Sequence, residues 1–411
     1  MPTTTHTPGH VFAHADGGVT APAGFQAAGV SAGLKKSGKR DVCMLVADTA
    51  CPAAAVFTTS ATAAPPVLVS RTHIADGTLR AVVINAGNAN ACTGAPGLAD
   101  AQAMAQAAAS ALGCAPADVA VCSTGVIGVP LPLGLVEAGI AEAAEALDVT
   151  AGDAAAEAIM TTDTFPKQVA LSVTAGGRTF TVGGMAKGSG MIQPNMATML
   201  AFLTTDAPLS PGSCDAVLRR SVARSFNRIT VDSDTSTNDT CILMASGAEG
   251  GEPLEPGTGP FEAVAAAIEE VATALAHMVV RDGEGATKFV TVTVSGAADE
   301  GDAEQAAFAI ANSPLFKTAL FGEDANWGRV AMALGKSGAR VDPGRFDITF
   351  AGIATCRSGT AVDFDEAEAA RALAADEIEV AVDLHLGEGE ATVWTCDFSY
   401  DYVKINGDYR T

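Results

Sequence analysis

The sequence predicts an α/β (α+β) fold, and three observations predict it. Short β-branched runs alternate with alanine-rich stretches of helical spacing along the chain, the pattern of sheets covered by helices. Glycine and proline cluster between those runs, where turns are needed. At 411 residues the chain exceeds what one hydrophobic core usually fills, so two or three folded units with a large buried interior are expected.

The elements follow in order. Leu79 to Asn85, with Val82, Val83 and Ile84 at its centre, reads as a buried strand, and the small residues from Ala86 to Gly94 as a loop with room for a ligand. Leu98, Ala101, Met104, Ala105, Ala108 and Leu112 recur at the spacing of an amphipathic helix. Val119 to Cys122 is a short strand ending in Ser123-Thr124-Gly125-Val126-Ile127-Gly128. Gln168 to Thr174 and Arg178 to Val182 flank Ala175-Gly176-Gly177, a hairpin pattern in which glycine supplies the positive φ of a tight turn. An irregular loop opening at Gly183-Gly184 and broken by Gly188, Gly190 and Pro194 follows, before Thr198 heads the apolar run Met199-Leu200-Ala201-Phe202-Leu203. In the second half, Gly247 to Gly259 is a loop, Glu262 to Val279 a helix, Lys288 to Val294 a strand, and Gly296 to Gly301 a linker into a C-terminal unit. A helix at Ala303 to Ala311, strands at Phe346 to Phe350, Glu377 to Leu384 and Ala391 to Asp397, and a helix near Glu366 to Ala375 complete the pattern.

Composition removes several classes of function. A formal net charge of -23 repels phosphate backbones and anionic bilayers, so neither nucleic acid nor a membrane is an expected partner. An anionic small substrate meets the same repulsion, so its site needs a local cation. The nine cysteines form no C-x-x-C pair, which disfavours a disulfide framework or a zinc ribbon, and the six histidines show no metal-ligand spacing. The N-terminus lacks a charged region followed by an apolar one, and the longest apolar stretch, Gly125 to Leu147, is interrupted by Pro130, Pro132, Glu137 and Glu142. A soluble, cytoplasmic protein is expected. Gly335-Lys336-Ser337 lacks the first glycine of a P-loop, Val330 standing there. The run Asp232-Ser233-Asp234-Thr235-Ser236-Thr237-Asn238-Asp239 fails as an EF-hand, with Thr237 at the sixth position and Leu243 at the twelfth. It either lines a site or is a hydrogen-bonded turn of Asp, Ser and Thr.

H-E-x-x-H is absent and the histidines are scattered, so a hydroxyl nucleophile would need a base other than a motif histidine. An N-terminal amine is one. Cleavage between Ala197 and Thr198 would give fragments of 197 and 214 residues, with the Thr198 α-amine, of pKa roughly 7.7–8.0, beside its own hydroxyl. A loop broken by Gly and Pro can hold the Ala197 carbonyl in a strained geometry open to that hydroxyl. On spacing alone, however, a threonine at the head of a strand is more often structural.

The segment Lys187-Gly188-Ser189-Gly190-Met191-Ile192-Gln193-Pro194-Asn195-Met196-Ala197-Thr198-Met199-Leu200 resembles the cleavage-site signature of the ornithine acetyltransferase family, also called bifunctional glutamate N-acetyltransferases. Further motifs of that family stand in order: Lys35-Lys36-Ser37-Gly38, Asn85 to Gly94, Ser123 to Gly128, Thr161-Thr162-Asp163-Thr164, Gly283 to Lys288, Gly322-Glu323-Asp324 with Asn326-Trp327-Gly328-Arg329, and Asn406 to Thr411. The chain departs at Ala325, Val330, Gly407 and Ser233, where Pro, Ile, Ala and Gly are common in the family.

The resemblance implies an N-terminal-nucleophile-type layered sheet and helix core over about residues 1–285, with a smaller C-terminal α/β unit over 286–411. It implies self-cleavage into an alpha fragment, 1–197, and a beta fragment, 198–411, with two of each in the assembly. Thr198 becomes the nucleophile that carries an acetyl group from N-acetylornithine to glutamate in arginine biosynthesis, and Thr124 with Gly125 forms the oxyanion hole. The implied substrate contacts are Thr161, favoured over Thr162, with Lys187, Thr198, Glu284, Asn406 and Thr411. Lys187 would meet a substrate carboxylate and Glu284 an amine. No cofactor is implied, and acetyl-CoA stays open as a second donor. Two other readings compete: an N-terminal-nucleophile amidohydrolase or aminopeptidase that passes the acyl group to water, and a non-catalytic acidic binding protein.

Overall fold

The β-branched runs pair into two sheets, one in each of two units of the chain. The computed structural model describes residues 10–193 and 199–408. The first unit is Met1–Asn227 with Asp234–Val279, and the second is Arg228–Ser233 with Val280–Thr411.

In the first unit the strands are β1 (Phe12–His14), β2 (Phe25–Val30), β3 (Val42–Phe57), β4 (Thr78–Asn88), β5 (Val119–Val126), β6 (Lys167–Ala175), β7 (Arg178–Lys187), β8 (Leu200–Thr205) and β9 (Thr240–Ala245). The helices are α1 (Pro65–His73), α2 (Gly94–Leu112), α3 (Leu133–Glu145), α4 (Gly152–Ala158), α5 (Pro211–Arg224) and α6 (Gly259–Arg281), which ends in the second unit. Among the described residues the strands join in the order β1-β6-β7-β8-β9-β3-β4-β5, with β2 also on β3. The 16-residue β3 serves both halves: Val42–Val46 pairs with β2 and β4, and, past a register shift, Ala53–Phe57 pairs with β9.

That shift lets the two halves turn toward one another. Cys43, Leu45, Val82 and Ile84 from one half share a buried cluster with Met185, Phe202, Ile242 and Met244 from the other. The opposite face of the first half, with Met44, Val46, Val83 and Val121, packs on Met104 and Ala108 of α2 and on Val136 and Ile140 of α3. Helix α6 covers the second half. It is 23 residues long and apolar enough to cross a membrane, but its apolar window is 67% buried inside the protein, which marks it as a core helix. The result is a helix–sheet–sheet–helix layering.

The second unit contains β10 (Phe289–Ala297), α7 (Glu300–Ala311), α8 (Pro314–Phe321), α9 (Trp327–Gly335), β11 (Asp347–Phe350), β12 (Ile353–Arg357), β13 (Thr360–Ala361), α10 (Glu366–Leu373), β14 (Glu377–Asp383), β15 (Gly389–Cys396) and α11 (Tyr400–Gly407). Its sheet runs β13-β12-β11-β14-β10-β15. Val290, Val292 and Val294 of β10 enter one core with Ile310, Leu320, Leu334 and Leu373 from four helices. Thr291, Thr293 and Ser295, between them, are only partly buried, so one face of the sheet is packed.

Three expectations need correction. The stretch from Gly296 to Gly301 is no linker: β10 and α7 on either side belong to the same unit, and it is the short turn between them. Gly183-Gly184 opens no loop, because β7 continues through it to Lys187. Those glycines serve close approach instead: a Cβ on Gly183 would lie 2.0 Å from Gly18 O, and one on Gly184 within 3.0 Å of Leu275 and Val271 of α6. Strand β5 likewise runs on to Val126, so Thr124 and Gly125 are strand residues held by pairing with β4.

Candidate active site

Hairpin register decides where Lys187 falls. From Ala175 opposite Arg178 at the turn, the β6–β7 ladder runs to Lys167 opposite Ala186 at its open end. Lys187, the last residue of β7, is paired with Leu200, the first of β8. The chain therefore leaves and re-enters the sheet at one point, and Thr198 precedes the returning strand by two positions in sequence. Thr198, Ala197 and Thr411 themselves lie outside the described residues.

Around that point the first unit assembles a charged cluster. Lys187 Nζ donates to Thr161 Oγ1 at 2.7 Å and to Thr124 Oγ1 at 3.4 Å, and lies 3.9 Å from Asp163 Oδ2. Asp163 Oδ1 accepts from Lys167 Nζ at 2.6 Å and from Gly188 N at 2.8 Å, while Oδ2 accepts from Thr161 N at 2.8 Å. Asp163, Lys167 and Lys187 are all buried. Burial alone would push the Asp163 carboxyl up. The Lys187 and Lys167 ammoniums, with hydrogen bonds from Lys167 and Thr161, outweigh it and hold the group well below the usual carboxylate range. Asp163 is thus ionised at neutral pH and faces two buried lysines, which leaves local cationic character in an acidic protein.

Lys35 adds to it. Its ammonium donates to Ala158 O at 3.2 Å, and its loop is pinned by buried Asp41, whose carboxylate accepts from the backbone N of Ala32, Leu34 and Lys35. Burial pushes the Lys35 pKa down to about 8 against the pull of Asp41 and Asp163, with Lys187 adding to the downward shift.

Beside Lys187, the end of β5 presents Thr124 and Gly125. A hydroxyl has one donor hydrogen and two lone pairs, so Thr124 can accept from Lys187 and still donate elsewhere. Gly125 has φ 133°, and a Cβ there would lie 2.3 Å from the Gly87 carbonyl carbon and 2.5 Å from Asn88 N of the neighbouring strand. Only glycine fits without parting β4 from β5.

In the second unit Glu284 is buried and accepts at Oε2 from Asn406 Nδ2 at 2.9 Å. The C-terminal helix is tied down where it starts: Ser399 Oγ donates to Gly285 O at 2.5 Å. A Cβ on Gly285, at φ 70°, would meet Tyr402 N at 2.4 Å. Docking of α11 on the Glu284 turn is what an involvement of Asn406 required. Of the expected residues, then, Thr124, Thr161 and Lys187 share one hydrogen-bonded group, and Glu284 and Asn406 another.

Sequence reasoning missed Asp163, Lys167 and Asp41, and gave Lys35 no role. The available signals were a carboxylate two residues after Thr161 and a lysine at the open end of a hairpin, neither distinctive by itself.

Fold and site together define a class: a layered α/β protein with a charged, hydroxyl-lined site for a small molecule. The chain belongs to the ArgJ family, whose model matches residues 26–411. It is 55% identical over 397 residues to the arginine biosynthesis bifunctional protein ArgJ of Symbiobacterium thermophilum, covering 96% of this chain and 99% of that protein. It is 51% identical over 389 residues to the ArgJ protein of Geobacter sulfurreducens, covering 94% and 99%. Among solved structures, the arginine biosynthesis bifunctional protein argJ of Bacillus halodurans matches at 43% identity and a TM-score of 0.50, covering 51% of this chain and 99% of that one.

Proposed function

We propose that Thr198 is the nucleophile of this enzyme and is freed by self-cleavage of the Ala197–Thr198 bond. As a member of the ArgJ family the protein is a bifunctional acetyltransferase of arginine biosynthesis. The observation that carries the site is Lys187. Its ammonium is bonded to Thr161, within reach of Thr124, and opposite the strand that returns two residues after Thr198. The B. halodurans chain, nearly all of which aligns with about half of this one, has the length expected of one fragment.

In maturation the Thr198 hydroxyl attacks the Ala197 carbonyl, the peptide becomes an ester, and water hydrolyses it to leave a free Thr198 amine. In turnover that amine takes the hydroxyl proton while Oγ attacks the acetyl carbonyl of N-acetylornithine. The developing oxyanion is met by the Thr124 hydroxyl and the Gly125 N–H. The C–N bond breaks, ornithine leaves with the proton, and acetyl-Thr198 remains. The glutamate amine then attacks this ester, giving N-acetylglutamate and restoring the hydroxyl. Lys187, with Thr161, anchors the substrate carboxylate, and Glu284, with Asn406 and Thr411, holds the substrate amine. Acetyl-CoA serves as the second donor that a bifunctional enzyme needs, and no resident cofactor or metal takes part. Two alpha and two beta fragments form the assembly. The enzyme works in the cytoplasm, where its nine free thiols stay reduced.

Acetyl transfer to glutamate, assayed with N-acetylornithine and with acetyl-CoA as donors, tests this reading. Ornithine release that depends on glutamate supports it, and release that proceeds equally without glutamate marks a hydrolase. Two variants probe the parts. Lys187→Met should raise KM for N-acetylornithine by roughly 10- to 100-fold, the loss of one charged hydrogen bond, seen in initial rates against donor concentration. Thr124→Val, which removes the hydroxyl and keeps the side-chain shape, should lower kcat by about 100- to 1,000-fold, the usual cost of an oxyanion donor, measured at saturating donor.

A further inference from the structure

The polar run Asp232–Asp239 ends in a dipeptide that joins two parts of the site. Buried Asn238 donates from Nδ2 to Ala89 O at 2.7 Å and to Ser123 O at 2.9 Å. Ser123 immediately precedes Thr124 and Gly125, so this amide fixes the carbonyl from which the end of β5 extends. Buried Asp239 accepts at Oδ1 from Met199 N at 2.9 Å, and Met199 immediately follows Thr198. Thr240 N donates to Met199 O at 3.1 Å, so both backbone groups of Met199 are held from one short stretch.

The dipeptide is itself fixed from behind. Thr58 Oγ1 donates to Ser236 O at 2.7 Å, Ala64 N to Thr237 O at 2.8 Å and Thr58 N to Asp239 O at 2.9 Å. Thr237 Oγ1 donates to Asn238 Oδ1 at 2.5 Å, which turns the amide nitrogen toward the two carbonyls it serves. The β8–β9 ladder begins with Leu200 opposite Thr240. The Asp239 carboxylate extends the attachment one residue further, to the position beside the nucleophile.

We propose that Asn238 and Asp239 are positioning residues that set the separation between the Thr198 nucleophile and the Thr124–Gly125 oxyanion pair. The proposal rests on the reading of Thr198 given above. Neither residue needs to touch a reacting atom. A misplacement of about 1 Å between reacting groups is enough to cost on the order of 100-fold in rate.

Asp239→Ala removes the acceptor, whereas Asp239→Asn keeps an oxygen for Met199 N. Self-cleavage followed by intact mass, together with kcat and KM for acetyl transfer, separates them. Asp239→Ala should lower kcat by about 100-fold and slow cleavage, with KM for N-acetylornithine nearly unchanged, while Asp239→Asn stays within roughly fivefold of wild type. Equal impairment of both variants, a KM that rises in step with the fall in kcat, or a fully active Asp239→Ala would overturn the proposal. Should Asp239→Ala fail to fold, Asp239→Asn decides: retained kcat supports the clamp, and a loss of about 100-fold overturns it. A wild-type protein that neither cleaves at Ala197–Thr198 nor transfers acetyl would instead remove the Thr198 reading itself, a result independent of any difference between the variants.

Discussion

Thr198→Ala should leave a single 411-residue species and abolish acetyl transfer. Both effects come from one atom, because the same Oγ attacks the Ala197 carbonyl in maturation and the acetyl carbonyl in turnover. Without the hydroxyl no N-terminal amine is produced either, so nucleophile and base disappear together. Removing a covalent nucleophile typically costs on the order of 10⁴-fold or more, and the remaining groups add no rescue because they act as a unit with it. Intact-mass measurement of the purified variant reads the cleavage, and glutamate-dependent ornithine release reads the transfer. Thr198→Ser supplies the control, since a hydroxyl of similar reach should cleave and turn over at a reduced rate. A Thr198→Ala protein that still appears as fragments of 197 and 214 residues would sink the mechanism.

Local pattern made much of the fold legible and little of the site's electrostatics. The alternation in Val290-Thr291-Val292-Thr293-Val294 gave β10, and the helical spacing from Leu98 to Leu112 gave most of α2, because each signal lies within one element. Strand β3 went unread: its second half, from Ala53-Ala54-Ala55 onward, carries small residues whose strand state is imposed by pairing with β9 rather than by propensity. The glycines of β7 read as loop punctuation, since a sequence does not show that the Gly18 carbonyl lies against Gly183 and α6 against Gly184. At the site, Thr124, Thr161 and Lys187 were found through motif resemblance, whereas the carboxylate that organises two of them was not. Asp163 acts through Lys167, Lys187 and Gly188, and only the hairpin register brings those groups to one point. Asn238 and Asp239 stood in a run that composition left between site lining and an ordinary turn, for the same reason.

Asp163→Asn should be the most damaging substitution for stability among the described site residues. The variant keeps the size of the side chain but removes the buried negative charge that Lys167 and Lys187 face. Breaking a buried ion pair by removing one partner costs about 3–5 kcal/mol, because the stranded charge cannot recover its hydration. Deleting an exposed pair such as Arg219–Asp215 should cost at most about 1 kcal/mol. The effect also has a pH signature. The folded-state pKa of Asp163 lies below the unfolded value of about 3.9, so the folded protein binds fewer protons there than the unfolded chain. Its stabilisation is therefore fully present above that unfolded value and is lost as pH falls through the folded one. Urea unfolding of wild type and Asp163→Asn at neutral pH and in acid tests both statements: the wild-type midpoint should be well above the variant's near pH 7, and the gap should close toward the acid end. A gap that stays constant across that range would mean that Asp163 stabilises the site by shape and hydrogen bonding rather than by its charge.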